Sequence, residues 1–268
     1  MSDSLSVTTA DSAVPPACPK AAQNDFSAAP MPTVRRTLEV LGWVVVAWLV
    51  IVGLTSIVGR AGFLAGALEL APADPEGALG PFDYRYYEHA VATTLHLIPA
   101  LAIMLLGPLQ FIRGIRTKYI KFHRLSGYTF MVCGVIGALS GIILGVFNPF
   151  MGVSGQGFNE SMATTFFSGY TLFALFMAFD RIRNRMIPQH REWMIRSWAL
   201  MLAVTTERTL LIILQITTEI DIAVLFGTTF WMAGVVNLVA AESWINLTRT
   251  PGKGTRHWKD ADARALAR

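Results

Sequence analysis

Residues 37–58 read TLEVLGWVVVAWLVIVGLTSIV, with Glu39 as the one charge. A helix over this run rises about 1.5 Å per residue and covers the roughly 30 Å hydrocarbon core of a bilayer. Soluble core helices alternate apolar and polar faces, and this run does not. It reads as a transmembrane helix.

Five further runs repeat the pattern, at about 87–112, 123–147, 164–179, 193–217 and 222–245. Strand edges cannot face lipid with unpaired backbone groups, so such runs span as helices. The expected fold is all-α: a polytopic bundle of about six spans within a membrane domain at 34–248. The composition agrees, with 53% hydrophobic and only 15% charged residues and a mean hydropathy of +0.47. A soluble domain carries about 25% charged residues.

Outside the spans, residues 1–33 are rich in Ala, Ser, Pro and Asp and contain no apolar run, so they read as a disordered tail rather than a signal peptide. Residues 59–86 read as a loop with Glu69, Asp74, Glu76 and Asp83, in which Gly62–Leu70 forms at most a short interfacial turn. Residues 249–268 form a basic tail.

Charge alternates between connections. Arg113, Arg116, Lys118, Lys121 and Arg124 fill the second without an acid, and Arg181, Arg183, Arg185, Arg191 and Arg196 crowd the fourth. The odd connections hold mostly acids, including Glu160, Glu219 and Asp221. The positive-inside rule places both termini in the cytoplasm of a bacterial inner membrane. The net charge of +4 follows from these topology signals, so nucleic acid is not the expected partner; the lipid bilayer is. Cys18 and Cys133 are too few and too far apart for a disulfide framework or a thiolate metal site.

Ionisable residues inside a span are costly and so informative. They are His89, His96, His123, His190, Glu207, Arg208 and Glu242. His96 on span two and Arg208 on span five fall at comparable depth, and Glu207 precedes Arg208. These three are the expected polar intramembrane site. It suits a quinone or a solute pathway, or else an interhelical network that only holds the bundle. His89 with Tyr86 and Tyr87 reads as an interfacial belt. His89, His96 and Glu207 have the ligand types of a zinc site, but seven residues of separation are awkward for one ion, and no metal is assigned.

His123 and His190 open spans three and five on the basic side, each followed by Arg. They are the candidate axial ligands if a b-type haem is bound; otherwise they are interfacial anchors. Gly137, Gly141 and Gly145 in span three make small-xxx-small steps, which serve close helix packing within the chain or in a homo-oligomer. No phosphate loop, His-Glu-x-x-His or Gly-x-Ser-x-Gly motif occurs.

The run Gly107-Pro108-Leu109-Gln110-Phe111, then His123-Arg124-Leu125-Ser126-Gly127-Tyr128, then His190-Arg191-Glu192-Trp193-Met194-Ile195-Arg196-Ser197 resembles the bacterial membrane family DUF2306. The resemblance covers roughly residues 87–210. It implies a membrane-embedded protein and no particular chemistry. It picks out His96, Gln110, His123, Arg124, His190, Arg191, Arg196 and Arg208, whereas Tyr128 stands where many members have Arg.

Overall fold

A computed structural model describes residues 32–248, apart from 71, 153 and 154. Residues 1–31 and 249–268, with Cys18, lie outside the described residues, whereas Pro32 and Thr33, read as the end of the first tail, open helix α1. The chain divides into two compact units, Met1–Gly42 and Trp43–Arg268. Of the first, only the opening turns of helix α1 are described; everything below concerns the second.

All regular structure among the described residues is helical. In chain order the helices are α1 (Pro32–Leu70), α2 (Pro75–Leu79), α3 (Pro81–Glu88), α4 (Ala90–Phe111), α5 (Arg113–Lys118), α6 (Ile120–Ile142), α7 (Gln156–Arg183), α8 (Ile187–Met201), α9 (Ala203–Thr217) and α10 (Ile222–Thr248). A short π-helical turn, Ile143–Phe147, extends α6. Six stretches are long and apolar enough to cross a membrane: Arg36–Leu70, Ala90–Phe111, Ile120–Phe147, Gly157–Arg183, Ile187–Thr217 and Ile222–Thr248. The six-span all-helical expectation holds.

Three boundaries differ from the sequence reading. First, α1 does not stop near Val58 but continues to Leu70. Residues 59–70 contain no proline, and Pro72 is the first residue able to stop the helix. Leu64 and Ala67 in this extension are buried, so packing holds what composition suggested was a loop. Second, α7 begins at Gln156, ahead of the apolar stretch at Thr164. Third, span five carries a one-residue irregularity at Leu202 between α8 and α9, where Leu202 keeps a right-handed helical conformation and ordinary helical bonds to Trp198 and from Thr206. The hydroxyls of Thr205 and Thr206 both bond the Leu202 carbonyl, at 2.7 and 3.3 Å. Threonine hydroxyls that bond back to the preceding turn bend helices.

Polarity is arranged inside out. Val44, Trp48, Val91, Ile98, Leu125 and Val239 are exposed, whereas Thr93, Gln110, Glu160, Ser197, Glu207 and Thr229 are buried. Lipid accepts the first set and internal hydrogen bonds the second. One apolar cluster, with Leu49, Met104, Phe130, Leu175, Met194 and Trp198, ties α1, α4, α6, α7 and α8 together. The glycines of α6 face inward. A Cβ at Gly134 would meet Met201 and Leu175, one at Gly145 would meet Thr164, and one at Gly141 would touch the His96 ring.

Candidate functional site

Between the helices, toward the acidic ends of the spans, lies a cavity of about 210 Å³. Its walls are mostly apolar, with Phe150, Phe167, Phe226 and Phe230 among them. Charged and polar groups reach it from α1 (Arg60), α3 (Tyr86), α4 (His96), α7 (Glu160) and α9 (Glu207, Arg208). The residues singled out from sequence, His96, Glu207 and Arg208, therefore line one chamber.

His96 Nδ1 lies 3.1 Å from the Gly137 carbonyl and 3.2 Å from Ser140 Oγ. A carbonyl only accepts, so Nδ1 carries the hydrogen, and in the neutral ring Nε2 holds a lone pair. Nε2 has no hydrogen-bond partner among the described residues. The cavity thus contains a fixed imidazole with one acceptor position open.

Glu207 is 1% exposed. Its Oε1 faces Thr229 Oγ1 at a long 3.4 Å. That hydroxyl is also placed to donate to the carbonyls of Leu225 at 2.9 Å and Phe226 at 3.0 Å. One hydroxyl has one proton, so the carboxylate competes for it. Glu160 is satisfied differently: its two oxygens accept the backbone N–H groups of Phe150 and Met151, each at 3.1 Å. This clamps the backbone of Phe150 and Met151, and Phe150 lines the cavity.

Arg60 Nη1 donates to Asp83 at 2.6 Å, and its guanidinium stands 3.9 Å from the centre of the Tyr86 ring. Tyr86 in turn packs on Phe150, with ring centres 4.7 Å apart, and Thr93 Oγ1 donates to the Tyr86 carbonyl. Burial pushes the Tyr86 hydroxyl above the usual phenol range, and the guanidinium groups of Arg208 and Arg60 oppose that shift.

Glu160 and Arg60 are the cavity residues that sequence reasoning missed, having assigned both to loops. A signal existed for the first. Glu160, Thr164, Ser168 and Thr171 recur at helical spacing, and all four line the cavity.

The other candidates lie elsewhere. His89 caps α3 and sits 3.7 Å from the Glu88 carboxylate. Among the described residues no group of three or more His, Cys, Asp or Glu is assembled around a metal position. Arg196 and Glu242 form a two-point ion pair from α8 to α10, with Nη2 to Oε2 at 3.0 Å. Gln110 Nε2 donates to Ser126 Oγ at 2.8 Å, bridging α4 and α6.

His123 and His190 come within electrostatic reach of each other on the basic side. His190 Nδ1 donates to the Ala178 carbonyl at 2.8 Å, tying α8 to α7. His123 Nδ1 is buried without a partner. One or two turns deeper, Phe130, Leu175, Ala178 and Met194 are packed into a single cluster, and neither histidine lines the cavity.

Residues 93–245 match the family model DUF2306, described as a predicted membrane protein. This chain is a member of the DUF2306 family. The match runs past residue 210 and takes in all of α9 and most of α10. Within this DUF2306 protein, His96, Glu160, Glu207 and Arg208 fall inside the matched region, whereas Arg60 and Tyr86 precede it. No curated protein and no solved structure matches the chain.

Proposed function

We propose that this integral membrane protein binds a small quinone-class headgroup in the cavity between α4 and α9. The observation that carries the reading is the open Nε2 lone pair of His96 in a chamber that also holds the Arg208 guanidinium. A hydroquinone hydroxyl donates to such a nitrogen, and a ring oxygen accepts from a guanidinium. The four phenylalanines supply the apolar and aromatic walls that such a ring prefers. The volume, about 210 Å³, suits one substituted ring and excludes large ligands.

The membrane orientation that goes with this reading puts the basic connections in the bacterial cytoplasm, with both termini. The cavity then lies nearer the outer face. Single cysteines placed at Arg185 and at Asp221, labelled from outside intact cells with a membrane-impermeant reagent, test this. Labelling at position 221 alone is expected; labelling at 185 overturns the orientation.

A second reading, solute transport, is favoured by the buried Glu207 and its neighbour Arg208 on the cavity wall. The deciding experiment is titration of the protein in nanodiscs with 2,3-dimethoxy-5-methylhydroquinone, followed by tryptophan fluorescence. Saturable binding that weakens at least tenfold in His96→Gln and Arg208→Gln is expected. Folded protein that shows no saturable binding sinks the quinone reading and leaves transport to be tested in proteoliposomes.

A further inference from the structure

The walls of the cavity are unequal. α4 packs on α6, α6 on α7, α7 on α8 and α10, and α10 on α9. Among the described residues, no comparable packing joins α4 to α9. α1 covers that seam. A Cβ at Gly53 would stand 2.8 Å from Thr205 Cγ2 on α9 and 2.9 Å from Met104 Sδ on α4. Gly53, Ser56, Ile57 and Arg60 form the α1 wall of the cavity. Yet only 11% of the apolar stretch of α1 is buried in the bundle, against 28–39% for the other five spans. Val46, Leu49 and Leu54 tie it to the core cluster, and the Arg60–Asp83 ion pair ties its far end to α3. Helices in lipid are held by packing, so the wall with the least buried surface separates most readily.

Two further features point to what passes there. At the acidic end, Phe82, Tyr86, Phe150 and Phe226 pack ring on ring, with centres 4.7 to 6.0 Å apart. All but Phe82 line the cavity, so packed rings wall that end. The cavity also continues away from its polar groups. Its α4 wall runs on from His96 to Met104, and eight helical residues cover about 12 Å. Beyond His96 that wall and the facing α6 offer Ala100, Ile103, Met104 and Gly134, which carry no hydrogen-bonding side chain. Met104 brings this apolar end to the Gly53 seam. Polar groups at one end and apolar walls at the other fit an amphiphile.

We infer, resting on the quinone reading above, that the ligand is a lipid-dissolved hydroquinone with an apolar tail, which enters from the bilayer through the α4–α9 seam as α1 moves aside. The ring binds at His96 and the tail leaves the cavity beside Gly53. The Arg60–Asp83 pair latches α1 closed.

The test cross-links the seam with Gly53→Cys and Thr205→Cys, whose Cβ atoms fall near the roughly 3.5–4.5 Å separation of a disulfide. Thr205→Cys also removes the methyl group that a Cβ at Gly53 would meet. The full chain, with Cys18→Ser and Cys133→Ser, is held in phosphatidylcholine nanodiscs. Binding of 2,3-dimethoxy-5-methyl-6-decylhydroquinone is followed by tryptophan fluorescence. Closing the disulfide is expected to slow association at least tenfold, with recovery on reduction. The bound decyl compound is expected in turn to slow disulfide formation at least tenfold, and the tail-less 2,3-dimethoxy-5-methylhydroquinone to leave it unchanged. Association at the same rate in the cross-linked protein overturns the lateral route. Equal slowing of cross-linking by both compounds, or by neither, overturns the exit of the tail at Gly53. Asp83→Asn, which releases the latch from outside the cavity lining, is a second probe that does not depend on the cysteine pair. It is expected to quicken association about two- to fivefold, and an unchanged rate overturns the gate. Absence of saturable binding in the parent chain is a separate outcome: it overturns the quinone reading and this inference with it.

Discussion

His96 Nδ1 on α4 lies 3.1 Å from the carbonyl oxygen of Gly137 on α6. The bond crosses between two helices, and a Cβ at 137 would make only an ordinary contact with Ile103, at 3.8 Å. It fixes both the tautomer of the neutral imidazole and the direction of its ring.

Replacing His96 by Phe keeps the apolar volume and removes both nitrogens. The lost interhelical bond is expected to cost about 1 kcal/mol, or roughly 2–4 °C in Tm for a chain near this size. Hydroquinone binding should disappear entirely. A Tm loss far larger than this, with aggregation, would mark His96 as chiefly structural. Differential scanning of the nanodisc-embedded variant reads both outcomes.

Glu160 offers a test of how the cavity is roofed. Its two oxygens hold the N–H groups of Phe150 and Met151. In Glu160→Gln one oxygen remains, so one amide loses its acceptor. Amide exchange at Phe150 or Met151 is expected to accelerate about tenfold, which corresponds to roughly 1.4 kcal/mol of lost protection. Unchanged exchange at both positions would show that the connection is held by the packing of Phe150 on Tyr86 and Phe226 instead.

Packing between α7 and α10 depends on Gly234. A Cβ there would meet three carbons of the Phe167 ring at 2.2, 2.4 and 2.4 Å. Phe167 is buried against Ala163 and Leu200 and has little room to retreat. Gly234→Ala is expected to destabilise by about 1–3 kcal/mol. Adding Phe167→Leu should recover part of that loss, and failure of the double variant to recover any would argue that α10 shifts as a body. Thermal unfolding of the two single variants and the double variant completes the comparison.

Arg196 and Glu242 tie α8 to α10, and the Arg196 guanidinium also lies 4.6 Å from the centre of the Trp193 ring. The Glu242 side chain is 45% exposed, so water or headgroups screen the pair. Glu242→Gln is expected to cost only about 0.5–1 kcal/mol. A double-mutant cycle with Arg196→Gln should show a coupling of the same size. A coupling near zero would mean that Arg196 is held by the indole ring alone.

The sequence by itself determined that this chain crosses a membrane as helices, how many times, and which ends of the spans are basic. Those properties depend on local composition: a run such as residues 37–58 has no other stable state in lipid, because each of its backbone groups must be satisfied within the run. It also marked His96, Glu207 and Arg208, because a charge inside an apolar run is conspicuous one residue at a time. Tertiary structure decided the rest. Glu160 looks like one more acid near a loop until α7 extends to include it and the backbone of residues 150 and 151 closes on its carboxylate. Arg60 looks like a loop cation until α1 continues past it and sets it beside Tyr86 and Asp83. His123 and His190 stand at similar depth in the sequence, but only the fold shows His190 bonded to the Ala178 carbonyl and His123 Nδ1 buried without a partner. Burial and partnership are properties of distances between helices, and spacing along one helix carries no record of them.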